Sequence, residues 1–101
     1  MAGAETPRFD EVVHAPHRLR ICATLNAAHE VEFGFLQDRL GVSKSALSKH
    51  LTQLADAGYV TQNRSVRDAR SRLWLSLTPE GRDAYAAHVQ ALTEIITADG
   101  S

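Results

Sequence analysis

Lys44, Ser45, Ser48, Lys49 and Thr52 fall at i, i+1, i+4, i+5 and i+8, the spacing that gathers side chains on one face of an α-helix. Short hydroxyl side chains on such a face can exchange hydrogen bonds with base edges without holding the helix away from them. The two ammonium groups can neutralise flanking phosphates. Further on, Arg64, Arg67, Arg70 and Arg72 crowd together with Asp68 as the one acid among them. Guanidinium groups on an exposed ribbon suit a phosphate backbone or an A·T-rich minor groove, where the negative potential is strongest. The chemistry on offer is recognition of a polyanion. The bland alternative is a solvated helix face beside surface arginines, with Asp68 paired to Arg70. Against it, the helix face carries no acid before Asp56.

The whole-chain charge hides this pattern. Eleven Lys/Arg against twelve Asp/Glu leave −1 over 101 residues. Residues 39–72 hold Arg39, Lys44, Lys49 and the four clustered arginines against Asp56 and Asp68, a local surplus of five that leaves −6 elsewhere. A basic third within a near-neutral chain points towards a nucleic-acid face more strongly than the total points away. A hydrophobic share of 44% with 23% charged residues is that of an ordinary globular domain. A chain of this length buries roughly 60–65% of its unfolded surface, enough for one modest core but not for a large enclosed active site.

Other chemistry is thinly represented. There is no phosphate-binding glycine loop, nucleophile elbow or HExxH pair, so an enzyme is not expected. Cys22 is the single cysteine, which excludes an intramolecular disulfide and any multi-thiolate metal site. It lies among Leu19, Ala23 and Leu25, the setting of a small buried hydrophobe. No cofactor is expected. The first residues lack the charged and apolar regions of a secretory signal, and no apolar run is long enough to span a bilayer. A cytoplasmic location with a reduced thiol follows as an expectation.

These residues need elements to position them. Residues 1–8 are expected to be a flexible lead, followed by a single domain over residues 9–97. Phe9, Val12 and Val13 show helical spacing until Pro16 interrupts, and a second segment runs from Pro16 to Ala28 with Leu19, Cys22, Ala23 and Leu25 on one face. One kinked helix or two abutting ones would both satisfy this pattern. Val31 belongs to a stub strand, and Phe33, Leu36 and Leu40 mark a short helix stopped by Gly41. Ser43 is suited to cap the next helix, which runs to Ala57 with Ala46, Leu47, His50, Leu51 and Leu54 inward. Tyr59–Val66 and Arg72–Leu77 read as the strands of a hairpin whose polar tip is Arg67–Ser71. Thr78-Pro79-Glu80 opens a last helix. The class is mainly α with a small β-hairpin, and the pair of short helices about Gly41 is a helix-turn-helix pattern.

The run from Leu40 to Leu51, then Leu54-Ala55-Asp56-Ala57-Gly58-Tyr59-Val60, then Leu75-Ser76-Leu77-Thr78-Pro79-Glu80-Gly81-Arg82, resembles the winged helix-turn-helix transcriptional regulators of the MarR and ArsR type. The resemblance spans roughly residues 15–97. It implies a recognition helix over Ser43–Thr52, a wing over Val66–Ser71, phosphate contacts at Ser48 and His50, and dimerisation through the terminal helices. The residues lean the same way on dimerisation. The last helix presents Tyr85, His88, Val89, Leu92, Ile95 and Ile96, a wide apolar surface for so small a domain, and Phe9, Val12 and Val13 have no obvious internal partner. The expected function is a dimeric repressor reading a palindromic operator in double-stranded DNA, with the major groove taken by helix 43–57 and the backbone or minor groove by wing 64–72. A small-molecule effector is left open.

Two rivals are weighed against it. A metal-responsive ArsR-like sensor would want a cysteine pair before the recognition helix, where Phe33-Gly34-Phe35-Leu36-Gln37 stands instead. Asp83 and His88 would lie about 140° apart on a helix, poor for chelation, and Pro16 separates His14 from His17. Histidines at the surface or the interface are the simpler expectation. A winged helix used for protein–protein contact would favour an acidic or apolar face in place of the lysines.

Overall fold

The computed structural model describes residues 7–100, apart from the side chains of Arg67 and Asp99. The order is α1 (Glu11–His14), α2 (Pro16–Ala27), β1 (Val31–Glu32), α3 (Phe33–Leu40), α4 (Lys44–Asp56), β2 (Val60–Arg67), β3 (Arg70–Leu77) and α5 (Pro79–Gly100). Most of the flexible lead expected over residues 1–8 lies outside the described residues. Arg8 is tied down, its amide donating to the Ala87 carbonyl at 3.0 Å.

Local chemistry sets each boundary. Asp10 caps α1, one carboxylate oxygen accepting from the Val12 and Val13 amides at 2.9 and 3.1 Å. Pro16 drives the residue before it out of helical space, and Ala15 (φ −54°, ψ 134°) splits the segment into two helices. Within α2 the buried face is Ile21, Cys22 and Leu25; Ala23 is exposed, contrary to the periodicity reading, because α2 turns Ile21 towards the core. Gly41 ends α3 in the left-handed region at φ 69°, and two residues on the Ser43 hydroxyl caps α4 by accepting the Ala46 amide at 3.1 Å.

The sheet is antiparallel in the order β1-β3-β2. β2 and β3 stay paired from Val60 with Leu77 out to Arg67 with Arg70. The hairpin is therefore longer, and its tip tighter, than the polar stretch alone indicates. The turn is Asp68-Ala69, with φ of 52° and 62°. A type I′ two-residue turn requires positive φ at both places, and neither residue is glycine.

One core joins the layers, with Val13, Ile21, Leu25, Leu36, Leu47, Leu51, Leu54 and Leu75 at its centre. Two expectations change here. The patch of Phe9, Val12 and Val13 does have internal partners. Val13 is fully buried, Val12 packs on the core, and the Phe9 ring lies 4.6 Å from His14 and 4.7 Å from His88. His88 is an interior residue, wholly covered by its own chain, because α1 folds back across α5.

Candidate nucleic-acid interface

α4 keeps Leu47, Leu51 and Leu54 in the core, which turns Lys44, Ser45, Ser48, Lys49 and Thr52 outward, all exposed. Ser43 is exposed as well and is engaged in capping, with its hydroxyl 3.3 Å from that of Ser45. The Thr52 hydroxyl donates to the Ser48 carbonyl at 2.9 Å, leaving its oxygen free to accept. An open groove of about 370 Å³ separates the start of α4 from the hairpin, lined among others by Glu32, Gln37, Lys44, Ser48, Arg64 and Ser71. One side therefore offers an ammonium and a hydroxyl, and the other a guanidinium and a hydroxyl. The Glu32 carboxylate also borders the groove.

The hairpin arginines do not form one cluster. Directly opposed residues of an antiparallel pair share a face. Arg64 opposes Leu73 and donates to the Ser71 hydroxyl at 3.0 Å, so it faces the groove. Arg72 opposes Ser65 on the other face, and its guanidinium forms an ion pair at 3.5 Å with Glu32, the same carboxylate that borders the groove. Arg70 is exposed beside the tip. Arg67 pairs with it in the ladder, while its side chain lies outside the described residues.

His50 is half-buried on the flank of α4 and is turned towards α2, with its ring 5.5 Å from that of His17 and its Nδ1 3.4 Å from Arg18 Nη1. Desolvation, reinforced by Arg18, His17 and Lys49, lowers its pKa, so it is neutral at physiological pH. The periodicity of the Pro16–Ala28 segment does not point to Arg18, which is not among Leu19, Cys22, Ala23 and Leu25 on its expected apolar face. Its Nε donates to the Val12 carbonyl at 2.6 Å and its Nη1 to the Gln53 side-chain oxygen. No local signal in the sequence marks it, because its role depends on how α1 and α4 cross.

A second polar node joins α1, the root of the hairpin and α5. The Tyr59 hydroxyl donates to Asp10 Oδ2 at 2.6 Å, and that bond, with burial, pushes the phenol up to about 12. The Asp10 amide donates to His88 Nδ1 at 2.9 Å, and His88 Nε2 meets His14 Nδ1 at 3.2 Å. An amide can only donate, so His88 carries its proton on Nε2 and passes a hydrogen bond to His14. The Cys22 thiol is pushed up to about 12, first by burial and then by the charge of Asp10. It has no nucleophilic character there.

Among the described residues no group of three or more His, Cys, Asp or Glu is placed to hold a metal ion, and no helix is long and apolar enough to cross a membrane. Of the residues expected at a dimer contact, Val89, Ile95 and Ile96 are exposed at 38%, 49% and 69%. Tyr85 and Leu92 are half-buried. Val13 and His88 present no surface to a partner.

The family model of the winged helix DNA-binding domain matches residues 17–96. The chain is 28% identical over 87 residues to the uncharacterized protein MJ0432 of Methanocaldococcus jannaschii, covering 86% of this chain and 90% of that one. Its fold is similar to that of the transcriptional regulator homologue protein from Pyrococcus horikoshii OT3, with a TM-score of 0.83 and 22% identity over 88% of each chain. NolR from Sinorhizobium fredii superposes with a TM-score of 0.64 at 32% identity, covering 83% of this chain and 76% of NolR. The α3–turn–α4 unit, the hairpin set beside it and the match across residues 17–96 agree: the chain belongs to the winged helix DNA-binding domain family.

Proposed function

We propose that the chain acts as a homodimeric, sequence-specific regulator of transcription, a repressor that occupies a palindromic operator. The observation that carries this reading is the exposed face of α4, without an acid before Asp56, opening into the groove it shares with the hairpin. Lys44, Ser45, Ser48, Lys49 and Thr52 would enter the major groove, with Ser45 and Ser48 at base edges and the lysines at phosphates. Arg64 would hold the backbone strand lying in the groove. Arg70 beside the tip would reach the neighbouring minor groove, and Arg67, whose side chain lies outside the described residues, is a further candidate there. His50 stays out of this set, since its ring is directed at α2. A role in transcription brings a cytoplasmic location with it.

The homodimer rests on the outer half of α5, where Val89, Ile95 and Ile96 remain exposed beyond the core. Pairing these faces about a two-fold axis would cover them and set two α4 helices about one turn of DNA apart, roughly 34 Å.

Titration against random-sequence duplex at a series of salt concentrations tests the reading. Binding should weaken steeply with salt, as counterion release requires. Lys49→Ala and Arg70→Ala should each weaken binding on every sequence and reduce the magnitude of the salt slope by about one. Ser45→Ala should instead alter preference at particular bases and leave the slope alone. Absence of duplex binding at low salt would sink the DNA reading. An unchanged slope in Arg70→Ala would remove the tip from the interface.

A further inference from the structure

We propose that Arg18, remote from the reading face, is a positioning residue for DNA recognition: it fixes the rotation of α4 about its own axis and so decides which side chains meet the bases. The inference rests on the DNA reading above and goes beyond it, to a residue outside the expected contact set.

The inner side of α4 is apolar: Leu47, Leu51 and Leu54 are fully buried. Such contacts decide which face of α4 is buried but leave a residual rotation of several degrees unconstrained, because apolar burial is non-directional. Directional ties on the C-terminal half of α4 come from His50 and Gln53, which lie at i, i+3 on one flank, and both converge on the Arg18 guanidinium. The guanidinium is itself anchored. Its Nε holds the Val12 carbonyl in the first half of α1, and its planar fork allows little play among these bonds. His50 is neutral, which lets it accept at Nδ1. The His17 ring of α2 lies 5.5 Å from that of His50, a second contact from α2 on the same flank.

The geometry converts a small rotation into lost readout. A side-chain tip sits about 6 Å from the helix axis, so a turn of about 10° moves it roughly 1 Å. That shift spoils a hydrogen bond to a base edge, whose distance and angle are narrowly limited. A lysine on a flexible four-carbon stem absorbs the same shift and keeps its phosphate. Loosening Arg18 should therefore reduce discrimination between sequences and leave the number of phosphate contacts unchanged.

The experiment selects a preferred duplex from a random pool with the wild-type chain, then measures affinity for that duplex and a scrambled one across a salt series. Arg18→Met and Gln53→Leu should each reduce the preference for the selected duplex by about tenfold while the salt slopes match wild type. Arg18→Lys should recover part of the preference, since an ammonium can satisfy one of the acceptors. Gln53 is exposed, so its variant carries the test should Arg18→Met fold poorly. A lower melting temperature with unchanged preference would reduce Arg18 to a structural role and overturn the proposal. So would a slope shallower by about one, the mark of a direct phosphate contact. Wild-type chain that binds no duplex would instead overturn the DNA reading on which the proposal stands.

Discussion

Gly81→Ala should destabilise the fold by about 3 kcal/mol, with a drop in melting temperature of roughly 15 °C for a domain of this size. A Cβ at Gly81 would sit 2.1 Å from the Tyr59 carbonyl oxygen and 2.9 Å from its carbon. The obstacle is backbone, which has no rotamer by which to escape. That carbonyl is occupied, accepting the Thr78 amide at 2.9 Å, so moving it would also disturb the cap of α5 and the root of the hairpin. Gly34→Ala is the control. Its Cβ would meet the Glu32 carboxylate at 3.4 Å, the mobile end of a side chain, and alanine is favoured over glycine within a helix. Thermal unfolding should separate the two widely. A loss below about 1 kcal/mol at Gly81 would mean that α5 can pivot away from Tyr59.

Acidification from pH 8 to pH 5 should destabilise the chain, and His88 should carry much of the loss. Burial and then the neighbouring His14 lower the pKa of His88 from its ordinary 6.5, and Asp10 and Glu11 oppose them without prevailing. The unfolded chain therefore takes up the proton first as the pH falls. Stability is fully present above about 6.5 and declines as the pH drops through the lower folded value. The hydrogen bonds supply the physical cause. Protonated His88 has no free ring nitrogen, so the Asp10 amide would lose its acceptor, at a cost of about 1–3 kcal/mol for a buried donor. The other titratable groups around the node are Arg8, Tyr59 and Cys22, of which Tyr59 and Cys22 titrate far above this range. Denaturant unfolding at several pH values checks this. His88→Leu should be less stable than wild type at pH 8 yet show a flatter pH dependence. An equally steep decline in that variant would shift the acid sensitivity to another group.

Much of the architecture is legible in the residues because local rules decide it. Ser43, Thr78, Gly41 and Pro16 mark boundaries by caps, a left-handed stop and a missing amide, none of which depends on the rest of the chain. The outward face of α4 is legible for the same reason, since the leucines behind it fix what remains outside. The structure departs from the sequence reading where long-range packing decides. The Asp68-Ala69 tip contains no glycine, so nothing local marks a two-residue turn. His88 reads as one more residue on an apolar stripe until the fold brings Asp10 and His14 to it from 78 and 74 residues away. Arg18 reads as a surface cation until α1 and α4 cross beside it. The arginines at 64 and 72 read as one cluster until the register sends them to opposite faces. Gly81 is legible as part of a pattern, but its reason, the carbonyl pressed against it, is not.

The order β1-β3-β2 leaves β2 as an outer strand, with the row of backbone amides and carbonyls on the far side of residues 60–67 turned away from β3. Such a row is a template for unwanted strand addition and amyloid-like stacking, and proteins blunt it with charged or polar side chains. Here Thr61, Gln62, Asn63 and Arg64 are exposed along that border, and Val66 is 70% exposed next to the tip. The polar character by which this strand is proposed to meet a phosphate backbone would also oppose strand-on-strand association. Replacing Arg64 by an apolar residue would set two β-favouring positions on the border near Val66, so colloidal stability as well as DNA affinity is at stake at this strand.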